Sequence, residues 1–416
     1  MPKARVGAGL LLALLVSCGL ALAQPGEPAS AGKIPGTTGW TDEGQDTNWG
    51  VFLKPAGKVR AVMIFVDFPN HLASQEPAPY SDTRPYYQFL VPGAVQWYKN
   101  SSYNALNLEV TPVHRWYHMS APDDAYGFER GLTWDGHVDY VGEALALADP
   151  DVDFSQFDLF YIVPVRSASA ISFSPAYIDD APYWGWPSWV VLDGVNIRHG
   201  VTTGQDAWVW WGSKVLNHET NHTFGLPDLY AFVPGLMWNS SEWVPDYHIF
   251  VGGWDVMGLI TGPAPDLLAW HKWKLGWVGD DQVDVVTKAG TSEHHLTPVE
   301  RNGSNKLLVV RTGQTTAYAV ELRLPIVNDR EAVDSGLLIY KVDSSTWTGY
   351  GGVHVIDAKP GEPTPAGTHD LDVACFQAGG VASFTDAAAG VTITVIKQAG
   401  ENAFVRVVKA TDTIFE

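Results

Sequence analysis

Two histidines four residues apart, with a glutamate directly after the first, are the residues of this sequence best suited to chemistry: His218-Glu219-Thr220-Asn221-His222. On a helix, His218 and His222 stand one turn apart on the same face. Both then reach a single tetrahedral Zn2+, whose bonds to imidazole nitrogen are about 2.0–2.1 Å long. Glu219 lies beside them, where a carboxylate can hold a water and take its proton. The five residues alone also fit a surface helix that happens to carry two histidines. Their neighbours argue for a site: residues 215–224 (VLNHETNHTF) have helical spacing, and Gly225 and Pro227 end it. Gly225 suits a sharp reversal of the chain through positive φ.

The continuation resembles the H-E-x-x-H-x-x-G-x-x-H pattern of metzincins, with Asp228 six residues after His222 at the third-ligand position. That resemblance implies Asp228 as the third ligand, and a carboxylate oxygen is an acceptable zinc donor. Residues 252–258 (GGWDVMG) lie about 30 residues beyond the helix, where metzincins place a methionine under the zinc ligands, here Met257. Taken alone, a methionine in a glycine-rich loop is as readily a core plug.

Together, residues 218–230 (HETNHTFGLPDLY), 254–257 (WDVM) and Ala269-Trp270-x-Lys272-x-x-Leu275-Gly276-Trp277 resemble the immune inhibitor A family of secreted bacterial metallopeptidases. Residues 66–69 (VDFP), 151–155 (DVDFS) and 336–343 (GLLIYKVD) are similar to the same family, so the resemblance runs from about residue 57 to 400. It implies a zinc endopeptidase acting on protein or peptide substrates. Glu219 would be the general base, and His218, His222 and Asp228 would hold one catalytic Zn2+. The fold implied is a zincin-like catalytic domain followed by a β-sandwich. Two features depart from the family. Its acidic DGDG-type insert, associated with Ca2+, is missing, because Asp158 runs straight into Leu159-Phe160-Tyr161. No segment matches its long propeptide either.

Other residues compete for roles. Residues 242–246 (EWVPD) mimic the downstream E-x-x-x-D of thermolysin-like zincins, which would make Glu242 the third ligand, but Pro245 would break the helix this needs. Tyr247 and His248 are candidate oxyanion stabilisers on proximity alone. Trp184, Trp186, Trp189, Trp208, Trp210 and Trp211 precede the zinc helix and could be core, peptide cleft or sugar platform. A non-catalytic secreted binding or adhesion protein with a structural zinc, glycan recognition being one form of it, is the alternative to the enzyme. An intact Glu219 argues against it.

Composition bounds these readings. The chain has 416 residues and a formal net charge of −20, with 46% hydrophobic residues and 18 tryptophans. Strong acidity disfavours nucleic acid, since neutralising phosphates needs a basic face. Only Cys18 and Cys375 are present, which excludes a disulfide scaffold and any multi-cysteine metal centre. Residues 1–23 read as a signal peptide, with Lys3 and Arg5 before an apolar run and Ala21-Leu22-Ala23 as the cleavage site. Secretion of a monomer is expected; residues 15–18 (LVSC) offer the alternative of lipid anchoring through Cys18. No later segment reads as membrane-spanning.

An α+β protein is expected around the motif. Residues 24–56 read as a Gly/Pro-rich linker or exposed arm, 57–280 as the catalytic domain and 281–416 as a small all-β domain. The apolar runs 59–65 and 158–165 predict buried strands, 106–113 an extended segment, and 92–103 and 137–148 helices. After residue 280, segments 306–311, 317–322, 336–342, 391–396 and 403–408 predict short strands separated by turns.

Overall fold

The computed structural model of the protein describes residues 27–415 apart from positions 130, 240, 241 and 363. The leader with Cys18 lies outside the described residues. The architecture is mixed α/β, rich in sheet and sparing in helix. No helix among the described residues is long and apolar enough to cross a membrane.

Strands β1 (Gly57–Asp67), β2 (Leu106–His118), β3 (Leu159–Pro164), β4 (Ala176–Ile178) and β7 (His199–Thr202) form the first sheet, in the order β2-β1-β3-β7-β4. Between β4 and β7 lies a minimal hairpin, β5 (Val191–Leu192) and β6 (Val195–Asn196). The first sheet is parallel except for β4, which runs antiparallel to β7 and leaves one edge open. Helix α1 (Arg84–Ser101) covers one face, packing Tyr86, Leu90 and Ala94 on Ala61, Met63 and Phe65. Helix α2 (Trp134–Ala148) covers the other, packing Tyr140, Ala144 and Leu145 on Val62, Ile64 and Val66. Burial on both faces is why β1 and β3 read as unbroken apolar runs. Helix α1 starts at Arg84, upstream of the expected residue 92, with Pro92 inside it.

Helix α3 (Ser213–Thr223) lies on the α1 side of this sheet, and the hairpin β8 (Gly235–Asn239) and β9 (Glu242–Asp246) follows it. A short helix, α4 (Ala269–Lys274), precedes a pair of sheets. One contains β10 (Val283–Val286), β12 (Leu307–Arg311), β13 (Thr316–Arg323), β14 (Gly336–Asp343) and β15 (Val353–Val355). The other contains β11 (Gly290–Leu296), β18 (Asn402–Lys409), β17 (Val391–Ala399) and β16 (Ser383–Asp386). Leu308, Val320 and Ile339 of the first meet Ile393, Val405 and Val407 of the second, as in a sandwich. The opposite face of the five-stranded sheet carries Leu307, Val309, Ala319 and Tyr340 into the same core as α1, α3 and Trp254. One apolar core therefore joins the two halves of the chain.

The exposed arm expected before residue 57 is not what forms. Ile34, Asp42, Glu43, Val51 and Phe52 are buried. The Asp42 carboxylate accepts from the backbone of Thr37, Thr38 and Gly44 at 2.8–2.9 Å, so side-chain bonds replace the periodic ones that the sequence lacks. Lys274 donates to the Asp42 carbonyl, and the Trp270 indole donates to that of Glu43. Glu43 also reaches buried His271 at 3.2 Å, with Asp255 on the ring's other nitrogen at 3.0 Å. Burial opposes charge on His271, but the two carboxylates outweigh it and hold the imidazole up at about 10.

His137 is the opposite case. It is buried at the start of α2 with Nε2 3.1 Å from Thr202 Oγ1, and burial pushes its imidazole down to about 3. Above its unfolded value of about 6.5, both states are neutral. Below that, only the unfolded chain takes the proton. The residue should therefore cost up to about 1.4 kcal/mol of stability per pH unit as pH falls from about 6.5 towards the folded value. Denaturant midpoints between pH 6.5 and 4 should fall less steeply in His137→Gln than in the wild type; parallel slopes would refute this account of His137.

Candidate active site

Helix α3 is held by its back face. The Tyr98 hydroxyl donates to the Asn217 carbonyl and contacts Asn221 Oδ1, both at 3.0 Å, and Asn217 Nδ2 donates to the Ala94 carbonyl at 3.1 Å. Tyr161 on β3 meets Thr220 Oγ1 at 3.0 Å. These polar anchors are fully buried, and they turn His218, Glu219 and His222 the other way. Asn221 is buried too, so its N-x-T sequon is inaccessible in the fold.

The helix ends where glycine is needed. Gly225 has φ +87°, and a Cβ there would sit 2.9 Å from Thr47 and 3.1 Å from the Phe52 ring. The reversal brings Asp228 back over the helix. Asp228 Oδ1 lies 3.2 Å from His218 Nε2 and 3.2 Å from His222 Nε2, and the two nitrogens are 3.3 Å apart. Two donors each ~2.05 Å from a tetrahedral zinc stand about 3.3 Å apart, so the three atoms match one face of such a tetrahedron. Glu219 also belongs to the cluster, but its Oε1 is 3.9 Å from His218 Nε2. Asp228 therefore fits a third-ligand position better than Glu219 does, and no hydrogen bond among the described residues ties down the Glu219 carboxylate.

The ring tautomers sharpen the point. His218 Nδ1 is 2.8 Å from the Val256 carbonyl and His222 Nδ1 is 2.9 Å from the Leu226 carbonyl. A carbonyl only accepts, so both Nδ1 atoms carry protons and both Nε2 atoms present lone pairs. Two lone pairs and a carboxylate oxygen thus face one point, an arrangement suited to a cation. Without a metal, a proton must serve. Burial opposes charge on His222, yet Asp228 overcomes it and raises the imidazole to about 9. Burial likewise opposes ionisation of Asp228, and the imidazoles facing it hold it well below the usual carboxylate range. Glu219 is pushed up to about 7 by burial, against the pull of the two histidines.

The glycine-rich loop 252–258 braces both ligand elements. Besides Val256, the Met257 carbonyl accepts from Leu229 N–H at 2.9 Å, next to Asp228, and the Met257 side chain is buried in the same core as Leu216 and Leu226. The C-terminal half contributes as well. Asp228 N–H donates to Thr348 Oγ1 at 2.8 Å, Gly349 N–H donates to the Asp228 carbonyl at 3.1 Å, and Asp372 accepts from Gly253 N–H at 2.7 Å.

The rival residues fare differently. Glu242 lies in β9, so residues 242–246 are a strand and not the helix that the thermolysin-like arrangement requires. His248 has its ring 6.5 Å from that of His369, and Tyr247 is half exposed; among the described residues neither side chain makes a hydrogen bond or ion pair with His218, Glu219, His222 or Asp228. Tyr230, which sequence reasoning did not single out, has its ring 6.2 Å from that of His218. The tryptophan cluster divides. Trp208 stacks on Phe89 at 4.6 Å, whereas Trp184, Trp186, Trp189 and Trp210 are exposed. No protein-family model and no curated protein matches this chain.

Proposed function

We propose that this chain is a secreted zinc endopeptidase similar to the immune inhibitor A family. The observation that carries the reading is the convergence of His218 Nε2, His222 Nε2 and Asp228 Oδ1 at 3.2–3.3 Å, with both Nδ1 atoms already committed to carbonyls. These three residues would hold the zinc. When bound, the metal supplies a Lewis acid that polarises the scissile carbonyl and acidifies water.

The rest of the work falls to the chain. Glu219, which makes no hydrogen bond among the described residues and is raised by burial towards neutral pH, takes the proton of the attacking water and returns it to the leaving amine. Strand β4 orients substrate. Pro175 O and Asp179 N bond to the β7 side, so by alternation the backbone groups of Ala176 and Ile178 face the open edge, where an extended peptide can add as a strand. Helix α3 packs directly on β4 and β7, which brings that edge to the proposed metal site.

Cleavage of casein by the purified protein tests the reading. It should stop on adding a zinc chelator and return with Zn2+. Ligand binding that survives chelation, with no cleavage at any zinc concentration, would support the non-catalytic binding protein instead.

A further inference from the structure

The exposed tryptophans line a cavity of about 840 Å³ outside the ligand triad. Trp40 comes from the N-terminal segment, Trp134 from the start of α2, and Trp184, Trp186 and Trp189 from the loop after β4. These five indoles are between 37% and 71% exposed, and a soluble chain rarely gathers so much open aromatic surface without use for it. The wall is also built rigidly. Trp134 stacks on Tyr177 at 5.0 Å, and the Trp184 indole donates to Asp180 at 2.8 Å. Fully buried Asp179 accepts from the backbone of Ala181 and Trp189 at 3.0 Å and from the Ser188 hydroxyl. The loop is therefore pinned at its base with its indoles held outward, a preorganised surface with little ordering cost left for binding.

We infer that this cleft is the specificity site of the peptidase and selects extended peptides that carry a large apolar or aromatic side chain. The inference rests on the endopeptidase reading. Two observations favour a peptide over a sugar. Besides the indoles, the wall carries only two polar side chains, and each already holds one bond: Ser188 to Asp179, and Asp180 through Oδ2 to Trp184. A sugar's hydroxyls would find few partners there, whereas an apolar side chain needs none. The cavity also includes Ile178, so it borders the open edge of β4. A peptide paired along that edge turns alternate side chains to the same face, one of them towards the indoles.

The test uses two peptide substrates identical except for one position, Trp in one and Ser in the other, with that position scanned along the peptide. Kinetics are measured for the wild type and for Trp186→Ala and Trp189→Ala. Binding of the same peptides is measured by calorimetry on Glu219→Gln. At one position the wild type should prefer Trp through KM. Each variant should raise KM for that peptide by about tenfold, the loss expected of one aromatic contact, with kcat within twofold and the Ser peptide unaffected. Both indoles are exposed, and an unchanged melting temperature checks that the fold persists. Equal KM for the two peptides at every position would overturn the inference, as would oligosaccharide binding that is lost in Trp186→Ala. Trp-dependent binding to Glu219→Gln with no cleavage by the wild type would uphold the cleft and defeat the endopeptidase reading.

Discussion

Glu219→Gln should lower kcat/KM for peptide cleavage by about 10³-fold or more while leaving the metal in place, given that a positioned general base contributes about 10²–10⁴. Glutamine has nearly the same shape and fits the same buried position, so the helix and its anchors to Tyr98 and Tyr161 should be undisturbed. What it cannot do is accept a proton. Metal is retained because the site needs only three protein atoms, and Glu219 Oε1, 3.9 Å from His218 Nε2, is not one of them. Kinetics paired with metal analysis check both halves. A variant that still cleaves would exclude Glu219 as the base. One that loses its metal would make Glu219 a ligand.

The second large effect concerns stability. Stripping the metal should lower the melting temperature, and Zn2+ should restore it, because metal bound only to the folded state adds RT ln(1 + [L]/Kd). At a thousandfold excess over Kd this is about 4 kcal/mol, or roughly 5 °C for a chain of this size. The force behind it is the convergence of His218 Nε2, His222 Nε2 and Asp228 Oδ1 at 3.2–3.3 Å, where a divalent ion bonds all three atoms and the proton that serves in its absence cannot. The response should shrink as pH falls, since protons compete for the same nitrogens. Asp228→Ala should abolish most of the Zn2+ response, and near neutral pH its metal-free form should melt below the wild-type metal-free value, because the buried imidazoles lose the carboxylate paired with them. Thermal melts with and without Zn2+ read both. A full Zn2+ response in Asp228→Ala would remove Asp228 from the ligand set.

The outline of this arrangement is visible in the sequence where burial leaves a periodic trace. Strands β1, β3 and β12 lie buried on both faces along most of their length and read as apolar runs. Helix α3 shows through the four-residue spacing of His218 and His222, and Gly225 marks its end by a conformation that few other residues adopt. Elsewhere the trace is missing. Pro92 obscured the start of α1, since a proline reads as a helix beginning even where the helix tolerates it inside. The N-terminal segment reads as a linker because Asp42 and Glu43 are buried through bonds to distant groups such as Lys274 and His271, which leave no local period.

The site divides in the same way. Side chains within one motif, His218, Glu219 and His222, are readable, and Asp228 follows from a pattern. The carbonyls of Val256 and Leu226 that fix the tautomers carry no sequence signal, because any residue supplies a carbonyl. Thr348 reaches Asp228 only through folding, from 120 positions away, and Trp40 and Trp134 meet the loop carrying Trp184, Trp186 and Trp189 in the same way. Their types alone gave no reason to place them there.

The most direct measurement is a titration of metal-stripped protein with Zn2+, following cleavage of a peptide substrate and bound metal in the same samples. Activity should rise in proportion to bound zinc and level off at one equivalent per chain, and His222→Ala should neither bind nor cleave over the same range. Cleavage undiminished in the metal-stripped protein, or one equivalent of tightly bound zinc with no peptide cleaved, would contradict the account.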